Sequence, residues 1–198
     1  MGFFSKKRKA GDQTEEAPPL DLSRQDLRGE DFSDARIREY LRRTSGLELP
    51  PGLVRHNLSK ANMSYSILSG VNLSDAVLDK ADLTGANLSG ANLSGANLRH
   101  ANLQYANLKG ANLSGADLYF ANLTGARLNG ANLTGASLRC ASLNYAVLAE
   151  ANFSQASLEG AILDGADFTG ALIHETDVRA RSTRATIDTD GRVARWQD

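Results

Sequence analysis

The chain has 198 residues, with 22 lysines and arginines against 23 aspartates and glutamates, so its formal net charge is -1 at pH 7. This length suits one sizeable domain, and the balanced charge excludes a chain-wide attraction to nucleic acid or acidic lipid. Cys140 is the only cysteine, which excludes an intramolecular disulfide and a cysteine-based metal cluster and favours a reducing compartment such as the cytoplasm.

Residues 1–19 are predicted to form a disordered tail. They combine the basic run from Lys6 to Lys9 with acidic residues and two prolines, and they hold too few apolar residues to order themselves. The pair Phe3-Phe4 is far shorter than the apolar run of a signal peptide or a membrane span. The basic run has three possible interpretations: a solvated surface segment, a localisation signal, or a weak contact with a membrane surface. No other membrane association is expected.

Residues 20–55 are predicted to form a first coil followed by a capping helix and a loop. Apolar residues recur every five positions here, one residue out of phase with the array that follows, at Leu22, Leu27, Phe32 and Ile37. Tyr40 and Leu41 are spaced to share one face of a short helix with Ile37, and Pro50-Pro51 would end it. Something therefore interrupts the repeat between Tyr40 and Arg55.

Residues 56–180 consist of consecutive blocks of five that resemble Ala-Asn-Leu-Ser-Gly. The third position of every block is apolar, and the first position is alanine in each block from Ala76 to Ala171. A period of five fits neither an α-helix nor an extended strand, so the chain must coil with corners that turn the first and third positions inward. Glycine at the fifth position suits such a corner. The predicted core includes Leu83, Leu103, Leu123, Leu143, Phe153 and Phe168.

The blocks at 81–85, 86–90 and 91–95 resemble the pentapeptide-repeat family. The resemblance covers residues 56–180 without interruption. It implies an all-β solenoid, a right-handed quadrilateral parallel β-helix with four blocks in each coil and about six coils. Stacked coils about 4.8 Å apart would make a rod about 30 Å long. The asparagines at the second position are interpreted as stacked amides that hold the coils in register, not as ligands.

Residues 181–198 break the repeat and are predicted to close the C-terminal end of the rod. Asp190-Gly191 is a turn signal between two short strand-like pieces, which predicts a hairpin. Ile187, Val193 and Trp196 either cover the last coil as a cap or join two rods end to end as a homodimer. The resemblance allows the second reading, because gyrase-directed members of the family join at this end. The sequence leaves both open.

With four blocks in each coil, residues 20 positions apart stack on one face. One face departs from Ser-Gly in nearly every block, and an adjoining face carries tyrosines on alternate coils. Exposed aromatic rings flanked by cations are typical of a recognition surface, although chance placement in a permissive array gives the same pattern. The predicted partner-binding residues are Lys60, Lys80, Arg99, His100, Tyr105, Tyr119, Phe120, Arg139 and Tyr145.

No catalytic, metal-binding or cofactor-binding residue is predicted. His100 and Cys140 would lie two coils apart, at about 9 to 10 Å, which is too far to share a proton or a metal ion. His56 and His174 fall near opposite ends of the array. The glycines follow the five-residue period and form no Gly-x-Gly-x-x-Gly turn, so no nucleotide site is expected. These observations predict a protein that is not an enzyme and needs no cofactor.

The predicted function is a non-catalytic cytoplasmic scaffold that binds a protein partner, for example one with an acidic patch. The alternative follows from the resemblance: some pentapeptide-repeat proteins imitate duplex DNA, bind DNA gyrase and confer drug or toxin resistance. That mimicry needs a strongly negative rod, whereas residues 56–180 hold ten acidic and seven basic residues. Nucleic-acid binding is not expected, because Asp79 and Glu159 interrupt the basic face.

Overall fold

The structure, a computed structural model, describes residues 24–32, 39, 53–179, 185–187 and 193–195. Residues 53–179 wind as a continuous stack of parallel coils. Along this stretch each bridged residue pairs with the residue 20 positions later, from Asn57 with Val77 to Ser157 with Asp177. Because each block has five residues, four blocks complete one coil. The predicted all-β solenoid of parallel coils is therefore confirmed.

Backbone hydrogen bonds join each side of a coil to both of its neighbours. The amide of the third position donates to the next coil, as Leu103 does to the carbonyl of Asn122 at 2.7 Å. The amide of the second position donates to the previous coil, as Asn102 does to the carbonyl of Ala81 at 2.9 Å. This ladder satisfies the buried backbone groups at every side, so no long strand is needed.

The core consists of alternating large and small side chains. The first-position alanines from Ala76 to Ala171 are at most 8% exposed, and the predicted core residues are at most 1% exposed: Leu83, Leu103, Leu123, Leu143, Phe153 and Phe168. Two polar residues replace alanine in the earliest blocks. The Ser66 hydroxyl donates to the carbonyl of Met63 at 2.7 Å, and Nδ1 of His56 lies 2.7 Å from the carbonyl of Val54.

Each corner is turned by a fifth-position residue in the left-handed conformation. The corner glycines have φ between 63° and 69°, and the other residues found at corners have φ between 53° and 61°. A residue with a Cβ pays a steric cost of about 1 to 2 kcal/mol in this conformation, and glycine does not. The preference for glycine at the fifth position therefore has a direct conformational cause.

Replacing Lys80 by glycine is expected to raise the free energy of unfolding by about 1 kcal/mol. Lys80 is a corner residue with a φ of 59°, and its exposed ammonium lies 3.9 Å from Asp79, so little interaction is lost. Denaturant unfolding measures the change. Lys109 lies at the fourth position, where φ is not positive, and the same substitution there is expected to destabilise the protein. Equal effects at both lysines would contradict corner strain.

Asparagines at the second position make two kinds of hydrogen bond. Their Oδ1 atoms accept from the backbone amide two residues later, as Asn112 does from Ser114 at 3.1 Å. Their Nδ2 atoms donate to the asparagine of the previous coil at 3.2 Å, in the series Asn132 to Asn112, Asn112 to Asn92 and Asn92 to Asn72. The interpretation of these amides as a structural ladder is confirmed on this side of the rod.

The first coil is assembled from two separate stretches of chain. Asp26 pairs with Asn62, and Asp31 pairs with Ile67, so these partners are 36 positions apart instead of 20. Leu53 completes this coil, because its amide donates to the carbonyl of Asn72 at 2.6 Å. The 20-residue step therefore begins one block before the predicted boundary at residue 56.

Several predictions for the N-terminal region fall outside the described residues. They concern the tail at 1–19, the first and last residues of the predicted early coil, Leu22 and Ile37, and the residues of the capping helix, Tyr40 and Leu41. Glu39 alone is described in this stretch, and its backbone is helical. Leu27 and Phe32, the two described members of the early apolar series, are at most 2% exposed.

Beyond the coils, β1 (Ala185–Ile187) and β2 (Val193–Arg195) form an antiparallel pair. Ile187 lies opposite Val193 in this pair. The two predicted strand-like pieces are therefore present and paired. Asp190-Gly191 and Trp196 lie outside the described residues, and the choice between a cap and an end-to-end homodimer stays a prediction.

Candidate binding surface

The predicted binding residues lie in two neighbouring columns along the rod. We call the first column the charged edge; its cationic, aromatic and thiol side chains are fourth-position and fifth-position residues from one face, namely Arg24, Lys60, Lys80, Arg99, His100, Tyr119, Phe120, Arg139 and Cys140. Asp79 and Glu159 occupy fourth positions on the same face. We call the second column the tyrosine edge; it consists of Tyr65, Tyr105 and Tyr145. The 20-residue pairing places each column on successive or alternate coils. The sequence-based set therefore divides into two surfaces.

The charged edge has a residue with a side chain at every corner over six successive coils. These corner residues have φ between 55° and 61° and are Arg24, Lys60, Lys80, His100, Phe120 and Cys140. Arg24 belongs to this column because its amide donates to the carbonyl of Ser59 at 2.9 Å, in the coil of Lys60. Sequence reasoning missed Arg24, since the early coil is one residue out of phase with the array.

Four side chains from two successive coils form a contiguous cluster at the middle of the charged edge. The rings of His100 and Phe120 are stacked, with centroids 5.7 Å apart and planes inclined by 12°. Tyr119 contacts Phe120 edge-on at 4.6 Å, and the Arg99 guanidinium lies 4.5 Å from the centroid of Tyr119. Phe120 is 50% exposed. The cluster therefore presents aromatic area in an arrangement fixed by ring and cation contacts.

Carboxylates neutralise the cations in the C-terminal half of the charged edge. Arg99 pairs with Asp117 at 2.9 Å, and Arg139 pairs with Glu159 at 2.9 Å. All four side chains are at least 37% exposed, so each pair adds little stability, but it does cancel local charge. Sequence reasoning missed Asp117, because it sorted only the fourth and fifth positions, whereas Asp117 is a second-position residue 18 positions after Arg99.

The N-terminal half of the charged edge is less compensated. Within the described ranges, neither Arg24 nor Lys60 has a carboxylate oxygen within 4.0 Å, and Lys80 is 3.9 Å from Asp79. The character of the charged edge therefore changes along the rod. Its first three coils carry cations, and its next two coils carry aromatic rings.

Beyond the charged edge, at the last described coil, Arg179 perturbs a neighbouring carboxyl group. Its guanidinium donates to both oxygens of Asp177, at 2.8 and 2.6 Å. These side-chain hydrogen bonds lower the pKa of Asp177 from 3.8 to about 2 and raise the pKa of Arg179 above its usual range.

The Asp177 carboxyl is accordingly expected to titrate near pH 2. Because the folded pKa is depressed, the stabilising contribution of the pair is complete above 3.8 and is lost as the pH falls through about 2. Carboxyl carbon shifts followed by NMR measure the midpoint. In the Arg179→Gln variant the midpoint should return towards 3.8, and identical midpoints in both proteins would contradict the assignment.

The tyrosine edge alternates tyrosine with glycine. Each tyrosine ring packs over the corner glycine of the next coil, where a Cβ would lie 2.6 to 2.7 Å from a ring carbon, in the pairs Tyr65 with Gly85, Tyr105 with Gly125 and Tyr145 with Gly165. The three tyrosines are 67 to 70% exposed. Glycine thus provides the space in which each ring lies, and the row of rings remains open to solvent.

The other candidate chemistry is dispersed. Phe120 lies between His100 and Cys140 on the charged edge, while His56 is buried at the start of the second coil and His174 is exposed near the C-terminal end of the stack. In the part of the chain that the structure describes, no group of three or more His, Cys, Asp or Glu residues is placed to hold a metal ion. The same residues include no helix long and apolar enough to cross a membrane.

Comparison with known proteins gives a family match across the coils. The family model described as pentapeptide repeats matches in eight copies, over residues 57–95, 91–130, 116–155 and 136–174. No curated protein sequence matches the chain.

Solved structures similar to the chain include pentapeptide repeat proteins from a plant and a cyanobacterium. A protein of the Arabidopsis thaliana thylakoid lumen is 34% identical over 58% of this chain and 66% of its own, with a TM-score of 0.38. HetL, involved in heterocyst differentiation regulation in Nostoc, is 28% identical over 88% of this chain and 92% of its own, with a TM-score of 0.31. QnrB1, a plasmid-mediated fluoroquinolone resistance protein, is 16% identical over 83% of this chain and 89% of its own, with a TM-score of 0.34.

Proposed function

The chain belongs to the pentapeptide-repeat family, and on that premise we propose that it is a non-catalytic scaffold whose charged edge binds a protein partner. The scaffold is a right-handed β-helical rod of about six coils with a C-terminal cap. One observation carries the proposal. Over six successive coils this edge has no corner glycine, although each corner residue is in the left-handed conformation.

Backbone strain at the corners of the charged edge indicates that its side chains have a function. A residue with a Cβ at such a corner costs about 1 to 2 kcal/mol relative to glycine. Glycine occupies alternate corners of the tyrosine edge and five of the six described corners of the third edge. On the fourth edge it occupies three of seven described corners, but they are consecutive, so no other edge has so long an uninterrupted run of corner side chains. Strained residues that persist in one place often mark a functional site, because the cost is offset by what the side chains do there. The run from Arg24 to Cys140 is therefore the best-supported binding surface.

The composition of the charged edge indicates the kind of partner. Arg24 and Lys60 supply positive charge at one end, which favours an acidic patch on the partner. His100 and Phe120 supply aromatic area at the centre, where a few rigid rings account for most of the binding energy in many interfaces. The partner is accordingly a protein that places an acidic patch beside an apolar contact.

A double substitution, His100→Gly with Phe120→Gly, tests the proposal. It removes the aromatic stack and places glycine at two left-handed corners, so the rod should fold at least as well. The matched control is Glu150→Gly with Gln155→Gly, which makes the same change at two corners on other edges. Partners captured from a lysate of the source cell are compared by mass spectrometry. If a partner is retained by the control and lost by the first variant, the charged edge is supported as the binding site. If both variants capture identical partners, the proposal that the charged edge binds the partner is wrong.

The alternative is a DNA-mimicking protein that binds DNA gyrase. It requires a continuous negative surface, and the charged edge carries cations along its length. A supercoiling assay separates the two functions. An excess of the purified rod is expected to leave gyrase activity unchanged, whereas inhibition or protection of gyrase would favour the alternative.

A cytoplasmic location belongs to the same proposal, because the free thiol of Cys140 is typical of a reducing compartment. An end-to-end homodimer and a weak membrane contact by the N-terminal tail stay predictions. Nucleic-acid binding is not proposed, since carboxylates pair with Arg99 and Arg139 on the charged edge.

A further inference from the structure

The tyrosine edge carries an inference that does not depend on the charged edge. We propose that Tyr65, Tyr105 and Tyr145 bind a proline-rich protein segment in the polyproline II conformation, with acidic residues alongside its prolines. Three features of the edge support this ligand: its spacing, its hydrogen-bonding groups and its local charge.

The spacing of the rings matches the repeat of a polyproline II helix. Neighbouring coils are about 4.8 Å apart, as paired parallel strands are, so the tyrosines on alternate coils are about 9.6 Å apart. A polyproline II helix has three residues per turn and rises about 3.1 Å per residue, so every third residue recurs at about 9.3 Å. Over the two intervals from Tyr65 to Tyr145, the mismatch is only about 0.6 Å. One proline in every turn can therefore contact one ring.

The tyrosines also provide the polar contacts that such a ligand needs. A polyproline II segment has no internal hydrogen bonds, so its carbonyl groups are free to accept one from a binding surface. A phenol hydroxyl donates such a bond, and the ring beneath it packs against the flat face of proline. Protein domains that recognise proline-rich segments use aromatic side chains in this way. Because each ring already lies over a glycine, little ordering is required when the ligand binds.

A single cation beside the row indicates acidic residues in the ligand. Arg127 is exposed, and its amide donates to the carbonyl of Ala106, the residue after Tyr105. Among the described residues no carboxylate oxygen lies within 4.0 Å of its guanidinium. The other second-position and fourth-position neighbours in the coils of Tyr105, Gly125 and Tyr145 are uncharged: Gln104, Asn107, Thr124, Asn144 and Val147. In the following coil Asp164 and Asp167 flank Gly165, over which the Tyr145 ring packs. A carboxylate on the ligand would therefore meet the Arg127 guanidinium beside Tyr105, whereas the two aspartates disfavour a carboxylate beside Tyr145.

The probe is a synthetic peptide of four Pro-Pro-Glu repeats. Ring resonances of the three tyrosines, followed by NMR during titration of the full-length protein, report where the peptide binds. Tyr105→Ser is expected to weaken binding about tenfold, as loss of a central contact does in other interfaces. Phe120→Ser is the matched control, because it removes an exposed corner ring from the charged edge, and it should leave the affinity within about twofold.

A composition-conserving variant tests the spacing itself. The double substitution Tyr145→Gly with Gly165→Tyr moves one ring by a single coil and keeps three tyrosines at left-handed corners. The second interval then grows from two coils to three, to about 14.4 Å, which no longer matches a polyproline II turn. Binding should weaken about tenfold, and circular dichroism should show an unchanged fold.

Charge reversal tests the role of the cation. Arg127→Glu should weaken binding of the Pro-Pro-Glu peptide and favour a peptide of four Pro-Pro-Lys repeats. Unchanged affinity in the spacing variant would overturn the proposal. So would no shift of the tyrosine resonances in the wild-type protein, or binding of a linear sugar polymer in place of the peptide. None of these outcomes bears on the charged edge, which its own glycine variants test.

Discussion

Replacing Leu103 by alanine is expected to lower the free energy of unfolding by about 2 to 5 kcal/mol, the range measured when a buried leucine is truncated in a well-packed core. Leu103 is fully buried at the third position of a central coil. Each side of a coil supplies only one large and one small inward side chain. The ladder of backbone hydrogen bonds fixes the separation of the coils, so neighbours cannot move inward to fill the cavity.

Thermal and urea unfolding measure this loss. Leu103→Met is the first control, since it keeps the volume of the side chain and should cost less than about 1.5 kcal/mol. Gln104→Ala is the second, because it truncates the next residue, which faces outward, and should change stability by about 0.5 kcal/mol or less. A loss at Leu103 no larger than the loss at Gln104 would show that the third position does not form the core.

The coils were predictable from sequence because their period belongs to no other regular structure. An uninterrupted five-residue repeat fixes which positions face inward, and glycine at the fifth position marks the corners. The first coil was harder to predict. Asp26 and Asp31 pair with residues 36 positions later, and no local pattern specifies how much chain separates two stretches that share one coil. Local signals define blocks, whereas pairing across an insertion depends on the assembled stack.

The candidate site was predictable as a set of residues but not as an arrangement. Sorting by 20 positions placed Lys60, Lys80 and Phe120 in one column. It did not reveal that Asp117 meets Arg99, because that contact joins residues 18 positions apart on successive coils. Which residue of the next coil a long side chain contacts depends on the length and charge of both side chains. The five-residue repeat of the backbone does not determine it.

Function and stability are encoded at different positions of the block. The first and third positions form the core, and the second position carries the amide ladder. The fourth and fifth positions face solvent, so they can change without altering the coil, apart from the conformational cost at the corner. The fold therefore does not require the side chains of a corner column such as Arg24, Lys60 and Lys80. For this reason strain at the corner is a better guide to binding than composition alone.

Replacing Phe153 by alanine is expected to lower the free energy of unfolding by about 3 to 5 kcal/mol, and mainly at one end of the rod. Phe153 is fully buried, and its ring contacts Phe168 of the next coil, with centroids 5.4 Å apart. In a stack of coils each unit contacts only its neighbours, so stability is a sum of local terms and damage near an end opens that end first. The substitution removes the ring contact that joins the coil of Phe168 to the coil before it.

Native-state hydrogen exchange distinguishes this local opening from global unfolding. In the Phe153→Ala protein the amides of Leu158 and Ile162 should lose protection, whereas the amide of Leu83, near the other end, should exchange at close to its wild-type rate. Phe153→Leu is the control, because it retains most of the buried volume and should leave the end largely closed. Equal acceleration at Leu83 and Leu158 would mean that the rod unfolds as one cooperative unit, and the nearest-neighbour description of its stability would be wrong.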